Sequence, residues 1–316
     1  MEMAKKDYAY AVGRIRVLET KLLPVGFFER LLNTTSLDET LRLMGETDYG
    51  SKDCDADFEN ILEEQLLEVY HFLRRQTSDA PELLVFLRRW DIHNLKLLVA
   101  AEAGGHPSRL GVTPFEELEE MVTNSEYTEL PLEFNEVLEN LPEGGPERAA
   151  ALDKAYYGYG RRILGKCSQL LGDYWQTRLD LINLQIFLRL RNANASTKEF
   201  FKFMVEPGII ESEKWAELFN APYQNLALLL SNSPYQNLLR GGEEIFKYLP
   251  FLERETDNFL LEIIKEAKMI SLGIEPLIGY LLAKEREVLN LRLVFAGKKN
   301  KLPAETVRRR LRNVYF

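Results

Sequence analysis

The chain has 316 residues, 46% hydrophobic and 28% charged, the balance of a globular protein long enough to bury one large core or several small ones. Its net charge of −9 excludes broad nucleic-acid binding, which needs a basic surface. The charge is uneven: residues 112–150 hold eleven Glu and one Arg, whereas residues 298–316 hold seven Lys/Arg and one Glu, an asymmetry that bears on partners rather than on fold. The start, MEMAKKDYAY, lacks the apolar core of a signal peptide, and no apolar run approaches the roughly 18 residues of a membrane span. The two cysteines, Cys54 and Cys167, stand far apart, as in a reducing compartment. These features predict a soluble protein, or one held at a membrane by a partner.

Helical signals follow one another along the chain. Ser36-Leu37-Asp38-Glu39 is a capping-box pattern, in which a hydroxyl and a Glu three residues on satisfy amides at a helix start. Thr113-Pro114-Phe115-Glu116 repeats it, with Pro at the first helical position. The glutamate-rich stretch 116–147 reads as a solvated face that also repels wrong partners. Residues 152–175, with apolar positions three and four apart, predict one continuous helix. Ser196-Thr197-Lys198-Glu199 is a third capping box. In TDNFLLEIIKEAKMI, Phe259, Leu260, Ile263, Ile264, Ala267 and Ile270 form one stripe. The basic end, KKNKLPAETVRRRLRNVYF, is either a solvated helix whose cations favour its C-terminus or a contact for an acidic partner or anionic lipid, with Arg308, Arg309 and Arg310 as the candidate contact residues. No long alternating strand pattern occurs, so the fold class is all-α.

A repeat organises these helices. DIHNLKLLV at 91–99 has two relatives, DLINLQIFL at 180–188 and EVLNLRLVF at 287–295. Each begins with an acid, Asp91, Asp180 or Glu287, and carries an amide three residues later, Asn94, Asn183 or Asn290. Residues three apart share a helix face, so the pair forms a polar spot beside the apolar stripe. A second signature precedes each copy: LMGETDY, MVTNSEY and LLSNSPY, ending in Tyr49, Tyr127 and Tyr235. Each tyrosine precedes its acid by about 40–55 residues, and the ordered recurrence of both signatures divides the chain into helical repeats 1–111, 112–209 and 210–316. The retained acid and amide suit a polar network tying helices together, because a buried carboxylate needs partners. Arg89, Arg178 and Arg286, one or two residues before the acids, are the expected local partners. A ligand site repeated three times is the competing reading.

Several motifs point to chemistry and fall short of it. His93 aligns with Ile182 and Leu289, which makes it a histidine on a largely apolar face. GRRILGK at 160–166 fits most of a phosphate-binding P-loop, but the next residue is Cys167 where Ser or Thr would hold magnesium, and no strand leads in. His71, His93 and His106 have no ligand spacing, and no nucleophile elbow occurs. The aromatic run YYGYG at 156–160 reads as helix packing. No catalytic, cofactor or metal residue is assigned.

The last copy, AKEREVLNLRLVFAGKK, resembles the C-terminal signature of the C subunit of the archaeal and bacterial A/V-type rotary ATPases, related to the d subunit of the vacuolar enzyme, at Lys284, Glu285, Glu287, Val288, Asn290, Leu291, Arg292, Gly297 and Lys298. YAYAVGRIRVLETKLLP is similar to that family's opening helix at Tyr10, Arg14, Arg16, Leu22 and Leu23, and DIHNLKLL and GETDYG fit as well. The resemblance implies three similar helical domains around a pseudo-threefold axis, shaped as a funnel or socket. It implies a non-catalytic, cofactor-free central-stalk component on the cytoplasmic face of the membrane. Its partners would be the rotor shaft, made of the D and F subunits, and the membrane proteolipid ring, with the membrane stator as a further neighbour. Nucleic acid and small-molecule substrates are not implied. Such a component couples ATP hydrolysis or synthesis to proton or sodium transport. The alternative is a helical-repeat adaptor outside any motor, against which the long repeats count, since common helical solenoids repeat every roughly 34–47 residues. An all-α enzyme ranks third, because no nucleophile, base or metal cluster is placed.

Overall fold

The computed structural model describes residues 8–50, 58–100, 105–236, 238 and 249–316. Among the described residues every regular element is helical and no strand occurs, as the apolar periodicity requires. Cys54 lies outside the described residues.

The chain divides into two compact units, Met1–Leu83 with Asp257–Phe316, and Leu84–Thr256. In the first unit lie α1 (Ala9–Glu19), α2 (Val25–Asn33), α3 (Leu37–Met44) and α4 (Phe58–Thr77). The first boundary falls inside α5 (Pro81–Leu87). The second unit holds α6 (Arg89–Val99), α7 (Phe115–Asn124), α8 (Leu132–Glu139), α9 (Gly145–Leu164), α10 (Gln169–Asn192), α11 (Thr197–Phe203), α12 (Ser212–Asn220) and α13 (Tyr223–Leu229). The other boundary falls inside α14 (Leu249–Ile264), and α15 (Glu275–Lys299) and α16 (Ala304–Arg308) return to the first unit.

α15 is the core of the first unit. It packs against α1, α2, α3 and α4, and it is buried around most of its circumference, with Leu277, Ile278, Leu281, Val288, Leu291 and Val294 withdrawn from water. A helix buried on most sides has to be surrounded by other helices, and its polar groups there need partners. In the second unit α9 has that position, packed against α6, α8, α10 and α11.

The three predicted caps have three outcomes. Ser196 forms the full capping box with Glu199. Ser36 accepts from the Glu39 amide at 3.2 Å, but the Glu39 carboxylate reaches back to the Thr35 amide at 2.6 Å, one residue earlier than expected. Thr113 does not cap α7; Pro114 stands at the cap, and the Thr113 N–H is committed to the Asp91 carboxylate.

The P-loop look-alike is two helices, not the single helix predicted. α9 stops at Leu164, residues 165–167 form a turn, and Ser168 caps α10 by accepting from the Leu171 amide at 3.4 Å. Its first glycine is explained by packing: a Cβ on Gly160 would lie 2.0 Å from the Trp175 ring. The Trp175 indole N–H donates to the Tyr157 carbonyl at 3.0 Å, and the Tyr156 ring meets the Trp175 ring edge-on at 5.6 Å. The aromatic run is thus helix packing.

Gly160→Ala is expected to lower the unfolding midpoint, by about 1–3 kcal/mol for overpacking a close helix contact. Gly158→Ala is the control, since its Cβ would meet only Glu206 Oε1 at 3.6 Å. Titration calorimetry with magnesium-ATP should show no binding that Lys166→Ala abolishes.

Candidate functional site

The six residues of the acid–amide signature are all buried, between 0 and 4% exposed. Each acid grips backbone amides of a chain segment that leads into a helix. Asp91 Oδ1 accepts from the Val112 and Thr113 amides at 2.7 and 3.1 Å, just before α7. Asp180 accepts from the Gly208, Ile209 and Ile210 amides at 3.0, 2.8 and 3.1 Å, just before α12. Glu287 accepts from the Leu23 amide at 2.5 Å, just before α2. Close approach explains a glycine here: a Cβ on Gly208 would lie 2.0 Å from the Gln176 carbonyl oxygen and 2.8 Å from Asp180 Oδ1.

Each asparagine grips a neighbouring segment with both ends of its amide. Asn94 donates to the Ser108 carbonyl at 2.9 Å and accepts from the Ser108 amide at 2.8 Å. Asn290 treats Arg312 in the same way, both bonds at 2.9 Å. Asn183 accepts from the Val205 amide at 2.9 Å and donates to the Val205 and Glu206 carbonyls at 3.3 Å. A primary amide mimics a peptide group, so it closes a backbone pair as a strand neighbour would.

The tyrosines follow the repeat in two copies of three. The Tyr235 hydroxyl donates to Asp180 at 2.7 Å and the Tyr49 hydroxyl to Glu287 at 2.6 Å. In both, the hydroxyl residue two places earlier accepts from the tyrosine amide at 3.2 Å and donates five residues back from the tyrosine, Thr47 to Met44 and Ser233 to Leu230. Tyr127 is buried but makes no such bond to Asp91. The corresponding Ser125 is left-handed, at φ 55°, and ends α7, so the turn differs. Arg88 takes the place at Asp91, at 3.0 Å.

The expected local arginine partners are corrected. Arg286 pairs with Asp257 at 2.8 Å, Arg178 donates to the Tyr174 hydroxyl at 3.4 Å, and Asp91 is paired by Arg88. Glu287 is paired by Lys284 at 2.7 Å. Residues one or two places before an acid point away from it on a helix, whereas residues three before, Arg88 and Lys284, share its face.

Burial pushes the Asp91 carboxyl up to about 6, against the pull of Arg88 and the two amides, and it raises Asp180 against its Tyr235 and amide donors. The tyrosines beside the acids are pushed upward, Tyr49 and Tyr235 both by burial first and the neighbouring carboxylate second. Nothing at these positions faces a reacting group: each carboxylate oxygen is spent on the protein's own donors. His93 meets the His106 carbonyl at 3.1 Å, close to the segment that Asn94 holds. Among the described residues no group of three His, Cys, Asp or Glu is placed to hold a metal.

The basic end is partly engaged within the chain. Arg308 pairs with Glu29 on α2 at 2.9 Å and with Glu305 at 2.6 Å, and Arg309 pairs with Glu305 at 3.3 Å. Arg310 is exposed.

A family model described as ATP synthase (C/AC39) subunit matches residues 11–310, nearly the whole chain. The chain belongs to that family. The C subunit of the A-type ATP synthase of Methanocaldococcus jannaschii is 29% identical over 95% of this chain and 85% of its own length. Its counterpart from Methanosarcina mazei is 28% identical, covering 96% and 92%. The C subunit of the V-type sodium ATPase of Enterococcus hirae is 25% identical, covering 95% and 97%. The family places this chain among the subunits of A/V-type ATP synthases, as a part without catalytic groups. No described helix is long and apolar enough to cross a membrane.

A further cation belongs to this framework. Arg191, eleven residues after Asp180, donates to the Leu218 and Ala221 carbonyls at 3.3 and 2.8 Å, at the end of α12. Lys298, eleven after Glu287, donates to the Leu32 and Thr34 carbonyls at 2.8 and 2.5 Å, at the end of α2. Cations there satisfy carbonyls the helix leaves open and oppose its dipole. Extending the aligned repeats by three positions would have found them.

Asp180→Ala strands three amides and a tyrosine hydroxyl, and is expected to cost about 1–3 kcal/mol in urea unfolding. Asp91 gives a pH signature. Its raised value means that the folded state binds the proton more tightly, so its contribution is fully present below about 3.8 and is lost as pH rises through about 6. Asp91→Asn should flatten the stability profile between those values, measured by unfolding at fixed pH.

Proposed function

We propose that this chain is the central-stalk socket of its rotary ATPase. On this reading the repeats 1–111, 112–209 and 210–316 are three similar helical domains around a pseudo-threefold axis. The socket receives the end of the shaft, the D and F subunits, and rests on the membrane proteolipid ring at the cytoplasmic face, with the membrane stator as a further neighbour. It thereby couples ATP hydrolysis or synthesis to proton or sodium transport.

The observation that carries the reading is the family match over residues 11–310. The buried clasps support it physically. Asp91, Asp180 and Glu287 each tie a connecting segment to the buried face of a helix, which stiffens the connections between helices. A part that transmits torque needs stiff connections, and it needs no chemistry of its own.

Depletion is the test. A complex lacking this chain should hydrolyse ATP in its soluble head but associate poorly with the membrane ring, and ATP-driven ion uptake into vesicles should vanish. Full-rate ion transport without the chain would leave it an accessory adaptor. The basic end gives a second expectation. Arg308 is held by Glu29, so its loss also loosens α16 from α2, whereas Arg310 reports on contact with an acidic neighbour. Arg310→Ala should weaken assembly at low ionic strength, and salt near 0.5 M should bring the unaltered complex to the same level, because screening is then within a few Å. Unchanged assembly at low salt would remove Arg310 from the interface.

A further inference from the structure

The contacts around Asp180 run forward along continuous chain. Asn183 holds Val205, Asp180 holds the segment from Gly208 to Ile210, Arg191 holds the end of α12, and Tyr235 returns to Asp180. The same four contacts recur around Glu287. Asn290 holds Arg312, Glu287 holds Leu23, Lys298 holds the end of α2, and Tyr49 returns to Glu287. The spacings match: the amide follows the acid by three, the cation by eleven, and each asparagine bonds 22 residues ahead.

One element differs. The segment held by Asn183 runs on directly into the entry held by Asp180. The entry held by Glu287 is instead Leu23, 264 residues earlier in the chain. We infer that Glu287 and its neighbours grip the entry of α2 through a side-chain latch that stands in for a peptide connection, closing the C-terminal helices of the first unit onto its N-terminal ones.

The latch is made of Glu287, Lys284, Tyr49 and Lys298. Three of the four are nearly withdrawn from water, Glu287, Lys284 and Tyr49 at 4, 5 and 3% exposure. The Lys284 ammonium also lies 4.2 Å from the centre of the Tyr49 ring. A buried ion pair of this kind is strongly destabilised when one partner is removed, because the other charge stays behind. At the Asp180 joint the peptide chain keeps the segments near one another when a side chain is lost. At the latch nothing covalent does so locally, and the contact closes over a far longer loop.

The two sides of the latch are also close at a second place. The Tyr8 amide donates to the Leu272 carbonyl at 3.5 Å, and the Lys268 ammonium lies 3.7 Å from the centre of the Phe316 ring. Residues 8 and 316 therefore both contact the segment 268–272, and a short linker can join them.

The test is a circular permutant of residues 8–316, with residues 316 and 8 joined by a glycine–serine linker and new ends between Pro207 and Gly208, compared with a parent that also starts at residue 8. It should fold with the helicity of the parent by circular dichroism and unfold cooperatively. Loss of that folding would show that the latch does not close the chain. The second measurement needs no permutant. Native-state hydrogen exchange is read at the Leu23 amide in Lys298→Ala, and at the Ile209 and Ile210 amides in Arg191→Ala. In the parent chain the Leu23 protection factor should fall by about tenfold or more, and Ile209 and Ile210 should change several-fold less. In the permutant the order should reverse. Equal sensitivity of the two joints in the parent, or an unchanged order in the permutant, would overturn the inference.

Discussion

A carboxylate removed from water must be given donors, and this protein gives Asp91, Asp180 and Glu287 backbone amides together with at least one side-chain donor each. Asp91, Asp180 and Glu287 sit inside helices, yet the groups they satisfy belong to the segments that lead into other helices. Such segments have amides that no helix or sheet ladder employs. Burying them beside an acid solves two problems at once: the acid's oxygens receive donors, and the connection acquires a fixed course. Much of the remaining polar architecture follows from this. The asparagine one turn on fixes the adjoining segment, the cation three turns on closes the end of the following helix, and the glycine at 208 is required because the Gln176 carbonyl and then the Asp180 carboxylate come so close.

The apolar framework makes these clasps durable. α15 is surrounded by α1 to α4 and places Glu287 and Asn290 where water is excluded, while α9 packs against α6 and α10, which carry the other two pairs. In a low-dielectric setting a satisfied polar pair specifies one arrangement strongly, because any shift leaves a donor or acceptor unmet. The protein thus spends its buried acids on positioning.

The three copies are not identical, and the differences have local causes. Tyr49 and Tyr235 reach their acids through the same hydroxyl-braced turn, but at Tyr127 the chain turns through a left-handed Ser125 and Arg88 supplies the donor instead. A shared sequence pattern therefore does not guarantee a shared contact: LMGETDY, MVTNSEY and LLSNSPY align residue for residue, while the backbone decides whether the phenol arrives.

By itself the sequence determined the all-helical class and the burial of the recurring acid and amide, since each rests on local periodicity or on a pattern that recurs within one chain. It also placed Ser196 as a complete cap and marked the P-loop look-alike as helical, because both depend on neighbours a few residues away. The structure alone decided what the acids hold. Glu287 meets Leu23 across 264 residues, and no spacing rule reaches that far. The tertiary arrangement also chose Lys284 and Arg88 over the nearer arginines, moved the Thr113 amide from a cap to Asp91, and broke the predicted helix at Gly165–Cys167. In each case a local preference worth a fraction of a hydrogen bond yielded to a buried group that had to be satisfied, and which group that is depends on packing that periodicity does not encode.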